Sequence, residues 1–92
     1  VKLRYTKRAA AQIDAALAFV AERSPQGAGN IAQRLFALLT LLTEQPHAGQ
    51  PTTRAGVRRL SASPYPYVID YRANDKEIVV LRFRHSSRRP IR

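Results

Sequence analysis

Arginine is the residue type in this chain that invites a chemical reading. Thirteen of the sixteen basic residues are Arg, set against six Asp and Glu, for a net charge of +10. A guanidinium is planar, always charged, and offers a fork of donors that meets phosphate or carboxylate two bonds at a time. The stretch that concentrates this chemistry runs from Val57 to Pro90, VRRLSASPYPYVIDYRANDKEIVVLRFRHSSRRP. Arginines separate its three short apolar runs. Beyond them Arg84, Arg88, Arg89 and Arg92 make a basic tail. His85 stands at the start of that tail, and histidine alone has an unperturbed pKa near neutrality. The other histidine, His47, has no ligand partner at metal spacing and reads as a surface residue. Neither a metal nor a cofactor is expected. A chain this basic repels itself, so its charge points to an acidic partner, either nucleic acid or protein. Solubility alone would not favour Arg over Lys.

The arginines need a sheet to hold them. Val57–Ala62, Tyr67–Arg72 and Ile78–Phe83 are candidate strands, increasingly rich in β-branched and aromatic residues. Ala73-Asn74-Asp75-Lys76 between the last two is turn chemistry. Alternation puts Tyr67, Ile69 and Tyr71 on one side of the middle strand, opposite Val68, Asp70 and Arg72. In the last strand it puts Val79, Leu81 and Phe83 on the side that faces the helices. Ile78, Val80, Arg82 and Arg84 then share the other side.

Upstream, Val1–Tyr5 alternates apolar and basic residues and reads as a short strand. Thr6 is a fair N-cap. From Lys7 to about Arg23 the pattern is helical, with Ala9, Ile13, Ala16, Leu17 and Val20 on one stripe. Ser24-Pro25-Gln26-Gly27 stops that helix. A second helix runs from about Ala28 to Glu44 on Ile31, Leu35, Leu38, Leu39 and Leu42. The short connection implies an antiparallel hairpin. Gln45–Gly56, with Pro46, Gly49 and Pro51, reads as a loop. The whole is α+β: a strand, an antiparallel helical hairpin, then a three-stranded antiparallel meander (β-α-α-β-β-β) in two layers. A first strand placed beside the last would make the sheet four-stranded.

Three apolar residues fall off the stripes. At about 100° per residue, Phe36 and Leu41 lie away from the Ile31/Leu35/Leu38 face, and Phe19 lies away from Ile13 and Val20. They are either part of broad apolar faces or an exposed strip awaiting a partner.

Ninety-two residues make a single domain, spanning 1–92. Without cysteine there is no disulfide framework and no thiolate metal site. No apolar leader and no run of about 20 apolar residues is present, so no membrane role is expected. The expected location is cytoplasmic.

The motifs, taken in order, resemble the RelE/ParE superfamily of type II toxins, which are encoded as toxin–antitoxin pairs. The resemblance spans nearly the whole chain. It rests on the Ala-rich first helix, Leu42-x-x-x-Pro46-x-x-Gly49, Gly56-Val57-Arg58-Arg59-Leu60, Tyr65-Pro66-Tyr67-Val68-Ile69-Asp70-Tyr71, and the closing Ile78–Pro90 segment with its His85-x-x-Arg88. The set is closer to the ParE branch, and it implies a RelE-like fold and a role of the plasmid-stabilisation kind.

The resemblance implies two possible mechanisms. Ribosome-dependent relatives cleave mRNA through the ribose 2′-hydroxyl, which needs a proton acceptor, an acid and cations for the phosphorane. It would place those roles at Arg59, Arg82 or Arg84, and His85. This chain departs from that pattern, because no Tyr follows Arg84 and no second acid–base group stands beside the meander. ParE-type relatives instead inhibit DNA gyrase by binding it. Arg84, His85, Arg88, Arg89 and Arg92 would then meet DNA phosphate or an acidic patch on the target, which is the expected mode. The alternatives are a ribosome with mRNA as target, or a nucleic-acid-binding module that is no toxin. The resemblance further implies an acidic cognate antitoxin, which would lay apolar anchors on Phe19, Phe36 and Leu41 and carboxylates on the arginines.

Overall fold

The computed structural model describes residues 2–86. Arg88, Arg89 and Arg92 lie outside the described residues. The elements run β1 (Lys2–Tyr5), α1 (Lys7–Arg23), α2 (Pro25–Glu44), β2 (Gln50–Pro51), β3 (Val57–Ser61), β4 (Tyr67–Ala73) and β5 (Glu77–His85).

Thr6 opens α1 as expected. Its backbone is extended and its Oγ1 accepts the Ala9 N–H at 3.0 Å. The same hydroxyl donates to the Leu81 carbonyl at 3.2 Å, which ties the helix start to β5. Helix α2 begins at Pro25 rather than near Ala28. Ser24 ends α1 and caps α2 at once, its Oγ accepting the Gly27 N–H at 2.9 Å. Pro25 then sits in the first turn, where its missing N–H costs nothing. A serine–proline pair that reads as a stop is here a stop and a start.

The sheet has five strands in the order β1-β5-β4-β3-β2. The first strand does pair beside the last, in parallel, with Leu3 opposite Ile78 and Tyr5 opposite Val80. The other pairings are antiparallel. The fifth strand lies in the stretch expected to be loop. Gln50 and Pro51 pair with Arg59 and Arg58 at the sheet edge, where a proline is tolerated. In the β4–β5 turn, Asn74 Oδ1 accepts the N–H groups of Lys76 and Glu77 at 2.8 and 2.9 Å.

The helices cover one face. Ala9, Ile31, Leu35, Leu38, Leu39 and Leu42 pack with Tyr67, Ile69, Tyr71, Ile78, Val80 and Phe83. Each fully buried large side chain among them contributes about 1.5–3 kcal/mol relative to exposure. The expected side of β4 is the core side, but that of β5 is only partly so. Ile78 and Val80 are fully buried and Phe83 nearly so, whereas Val79 and Leu81 are half-buried. The register explains the difference. Asp70 pairs with Arg82 but Tyr71 pairs with Val80, so Leu81 is an extra residue in β5. This bulge reverses the parity of the strand. Val79 and Leu81 therefore lie on the outer face, while Arg82 and Arg84 remain there as expected.

Candidate functional site

The outer face of the sheet is laid out by register. Arg59, Asp70 and Arg82 form one cross-strand row, and Val68 and Arg84 form the next. Asp70 is 4% exposed, the one buried charged residue among those described. Arg59 holds it with two bonds, Nε to Oδ1 at 2.7 Å and Nη2 to Oδ2 at 3.2 Å. That hydrogen bond raises the Arg59 pKa further above its ordinary value, with the Asp70 charge adding to it. Arg59 is thereby committed as a cation and cannot serve as a proton acceptor near neutral pH. The signal for this pair was the one carboxylate of β4, which sequence reasoning left without a role.

The residues singled out for RNA chemistry do not all share a face. Arg59, Arg82 and Arg84 are on the outer side. His85 alternates with Arg84 and follows the parity of Phe83. Its ring meets the buried Tyr67 edge-on at 5.3 Å, beside the Tyr67–Phe83 stack at 5.0 Å. The strand thus turns the imidazole toward the helix-facing side, away from the Arg59–Asp70–Arg82 row.

A second group of cations was missed. A concavity of about 330 Å³ is lined by Thr6, Arg8, Arg54, Arg72, Leu81 and Arg82. Four separate elements and loops supply its arginines, so no local motif announces it.

The off-stripe apolar residues are found as follows. Phe36 is 72% and Phe19 56% exposed, the largest exposures among the described large hydrophobics. Leu41 is half-buried. The Arg23 guanidinium lies 4.2 Å from the centre of the Phe19 ring, a cation–π contact that covers part of it. No helix among the described residues is long and apolar enough to cross a membrane.

Comparison with known proteins agrees with this geometry. A family model described as the ParE toxin of type II toxin-antitoxin system, parDE, matches residues 3–90. Toxin RelE2 of Caulobacter vibrioides is 36% identical over 84 residues, covering 91% of this chain and 93% of that protein. A solved structure of the chromosomal ParDE TA system from P. aeruginosa aligns with a TM-score of 0.78 at 28% identity, covering 92% of this chain and 95% of that one. With the strand–hairpin–meander order and the Pro46-x-x-Gly49 and His85-x-x-Arg88 motifs in place, the match over nearly the full length makes this chain a member of the ParE toxin family of type II toxin–antitoxin systems.

Proposed function

We propose that this toxin acts by docking on DNA gyrase through its basic outer face and C-terminal arginines, and not by cutting RNA. The observation that carries the reading is the division of β5. Arg82 and Arg84 face outward, while His85 is turned onto Tyr67. Cleavage through a 2′-hydroxyl needs a titrating group beside the cations, and each general acid or base is worth about 10²–10⁴-fold. The carboxylate in the arginine row, Asp70, is bound at both oxygens by Arg59, and Arg59 is in turn held as a cation by Asp70. Docking needs only charge and reach, so Arg84, Arg88, Arg89 and Arg92 supply the main target contact, to which His85 adds.

We further propose an acidic cognate antitoxin, with Phe19, Phe36 and Leu41 as its apolar anchors. Both proteins would act in the cytoplasm, where the target is. The exposure of the two phenylalanines supports the choice of anchors.

The test uses two readouts on the same purified toxin. One is supercoiling and DNA cleavage by purified gyrase, and the other is codon-resolved mRNA cleavage on ribosomes. Loss of supercoiling with intact mRNA is the expected result. Gyrase left untouched while mRNA is cut in the ribosomal A site overturns the proposal.

A further inference from the structure

The concavity around Leu81 is built from cations of distant origin. Arg8 comes from the first turn of α1, Arg54 from the loop before β3, Arg72 from β4 and Arg82 from β5. The fold takes trouble to bring them together. Thr6 is hydrogen-bonded to β5 through both its N–H (to Val80, 3.0 Å) and its hydroxyl (to Leu81), which sets Arg8 beside the strand. Gly56, at a φ of 76° that disfavours a side chain, turns the chain so that the Val57 N–H reaches the Arg54 carbonyl at 3.1 Å. Arg54 is thereby brought back toward Arg72.

Like charges gathered this way repel one another unless something negative sits among them. No carboxylate lines the concavity among the described residues. Asp70 stands beside Arg82 in the register, but Arg59 takes both of its oxygens. Glu77 is held by Arg4 at 2.8 Å on the β1 side. The start of α1 adds to the imbalance. Its first turn carries Lys7 and Arg8 and no acid, so two cations stand at the positive end of the helix dipole. None of Arg8, Arg54, Arg72 and Arg82 forms an ion pair among the described residues.

From this geometry we infer that the Arg8/Arg54/Arg72/Arg82 concavity is a phosphate site that takes two neighbouring phosphoryl groups. At about 330 Å³ it lies at the small end of ligand pockets. That suits a diphosphate or one step of a nucleic-acid backbone. Leu81 is among its lining residues, and no aromatic ring lines it among the described residues, so it offers nothing for a base to stack on. Recognition is of phosphate by guanidinium, two bonds at a time. The chemistry is the same whether the phosphates belong to a nucleic-acid strand or to a free polyphosphate. The site does not depend on gyrase being the target.

The experiment uses the full chain without gyrase or ribosomes. A labelled twelve-nucleotide oligo-dT reports binding by anisotropy across a salt series, and pyrophosphate reports by thermal shift. Arg54→Gln/Arg72→Gln is compared with Arg23→Gln/Lys76→Gln, which removes the same charge elsewhere. For a strand in the site, the first pair lowers oligonucleotide affinity by about tenfold or more and reduces the salt slope by about 1.4, whereas the second pair leaves affinity within about twofold. For a free anion, pyrophosphate raises the melting temperature of the wild type and of the second pair but not of the first. Arg8→Gln separates site from bulk charge in either case. It raises the melting temperature of the ligand-free protein by relieving the helix start, and it shrinks the ligand-induced gain. Either ligand showing this dependence supports the site and names its source. Equal losses in the two double variants, or no dependence on Arg54 and Arg72 with either ligand, overturn it.

Discussion

Tyr71 fills the space that a side chain on Gly49 would need. The Gly49 N–H donates to the Tyr71 phenol oxygen at 2.8 Å, and that phenol donates to the Pro46 carbonyl at 2.8 Å. A Cβ on Gly49 would stand 2.7 Å from the Tyr71 ring and 2.9 Å from the Arg59 carbonyl. One buried tyrosine thus holds both ends of Pro46-x-x-Gly49, and Arg58 Nη1 adds a bond to the Gly49 carbonyl at 2.7 Å. Gly49→Ala forces ring or backbone to move and costs about 1–3 kcal/mol, as overpacking does. Tyr71→Phe strands a donor and an acceptor and costs about 2 kcal/mol. Urea unfolding of the two variants checks both values. A neutral Gly49→Ala would mean the loop is not held this way.

The same tyrosine predicts an alkaline limit. Burial raises the Tyr71 pKa, while the Gly49 hydrogen bond and the Arg58 charge oppose the rise less strongly. The folded pKa is then above the unfolded value of about 10. The stability linked to this group is complete below that pH and is lost as pH rises through the folded pKa, because the phenolate cannot donate to Pro46. Denaturant midpoints from pH 8 to 11.5 should fall at the alkaline end. Tyr71→Phe should flatten much of that fall. An equal fall in the variant would assign it to other groups, Tyr5 first among them, whose pKa burial also raises.

The Arg59–Asp70 pair is unequal. The Asp70 side chain is 5% exposed, whereas that of Arg59 is 42% exposed. Removing Arg59 leaves a buried carboxylate without its bidentate partner, whereas removing the charge of Asp70 leaves a guanidinium that water can reach. Arg59→Met should therefore cost more than Asp70→Asn, by about 1–2 kcal/mol once screening at the surface is allowed for. Thermal or chemical unfolding decides. A larger cost for Asp70→Asn would show that Arg82, its neighbour in the register, depends on the same carboxylate.

Local patterns carried most of the fold. Helix α1 lies where its stripe and the Thr6 cap put it, and β4 buries the side that its aromatic alternation marks. Three features were hidden for physical reasons. Ser24-Pro25 serves two helices at once, and no propensity distinguishes a stop from a restart. Strand β2 is two residues long and contains a proline, so it exists only through pairing with β3. The Leu81 bulge is a property of the β4–β5 pairing and not of β5, whose apolar residues read equally well on either parity. The site suffered most from this. The bulge moves Leu81 and Val79 onto the face of the arginines, and the grouping of Arg8, Arg54 and Arg72 with Arg82 depends on sheet order.

The apolar strip gives a prediction about binding rather than folding. Phe36 is 72% exposed, so Phe36→Ser should change stability by no more than about 0.5 kcal/mol. As an anchor it should cost about 2 kcal/mol or more in antitoxin affinity. Leu41 is half-buried, so Leu41→Ser should lower both. Isothermal titration with the cognate antitoxin, paired with unfolding curves, separates the two effects. Unchanged affinity in Phe36→Ser would remove that side chain from the interface.

The last prediction concerns His85, which the two mechanisms use differently. As a nuclease residue it would act by proton transfer, and His85→Ala would abolish cleavage by about 10²-fold or more. As a docking residue it is one contact among several. Its ring also packs against Tyr67 at 5.3 Å, so an alanine variant confounds lost packing with lost chemistry. His85→Phe preserves a ring at that position and removes any capacity for proton transfer. Gyrase inhibition by His85→Phe should stay within about threefold of wild type. Truncation before Arg88 removes three cations of the tail, Arg88, Arg89 and Arg92. It should weaken inhibition far more, and more steeply as salt is raised, because each lost phosphate contact reduces counterion release. A toxin abolished by His85→Phe yet indifferent to the truncation would reverse the assignment, placing the chemistry at His85 and leaving the tail as solvated charge.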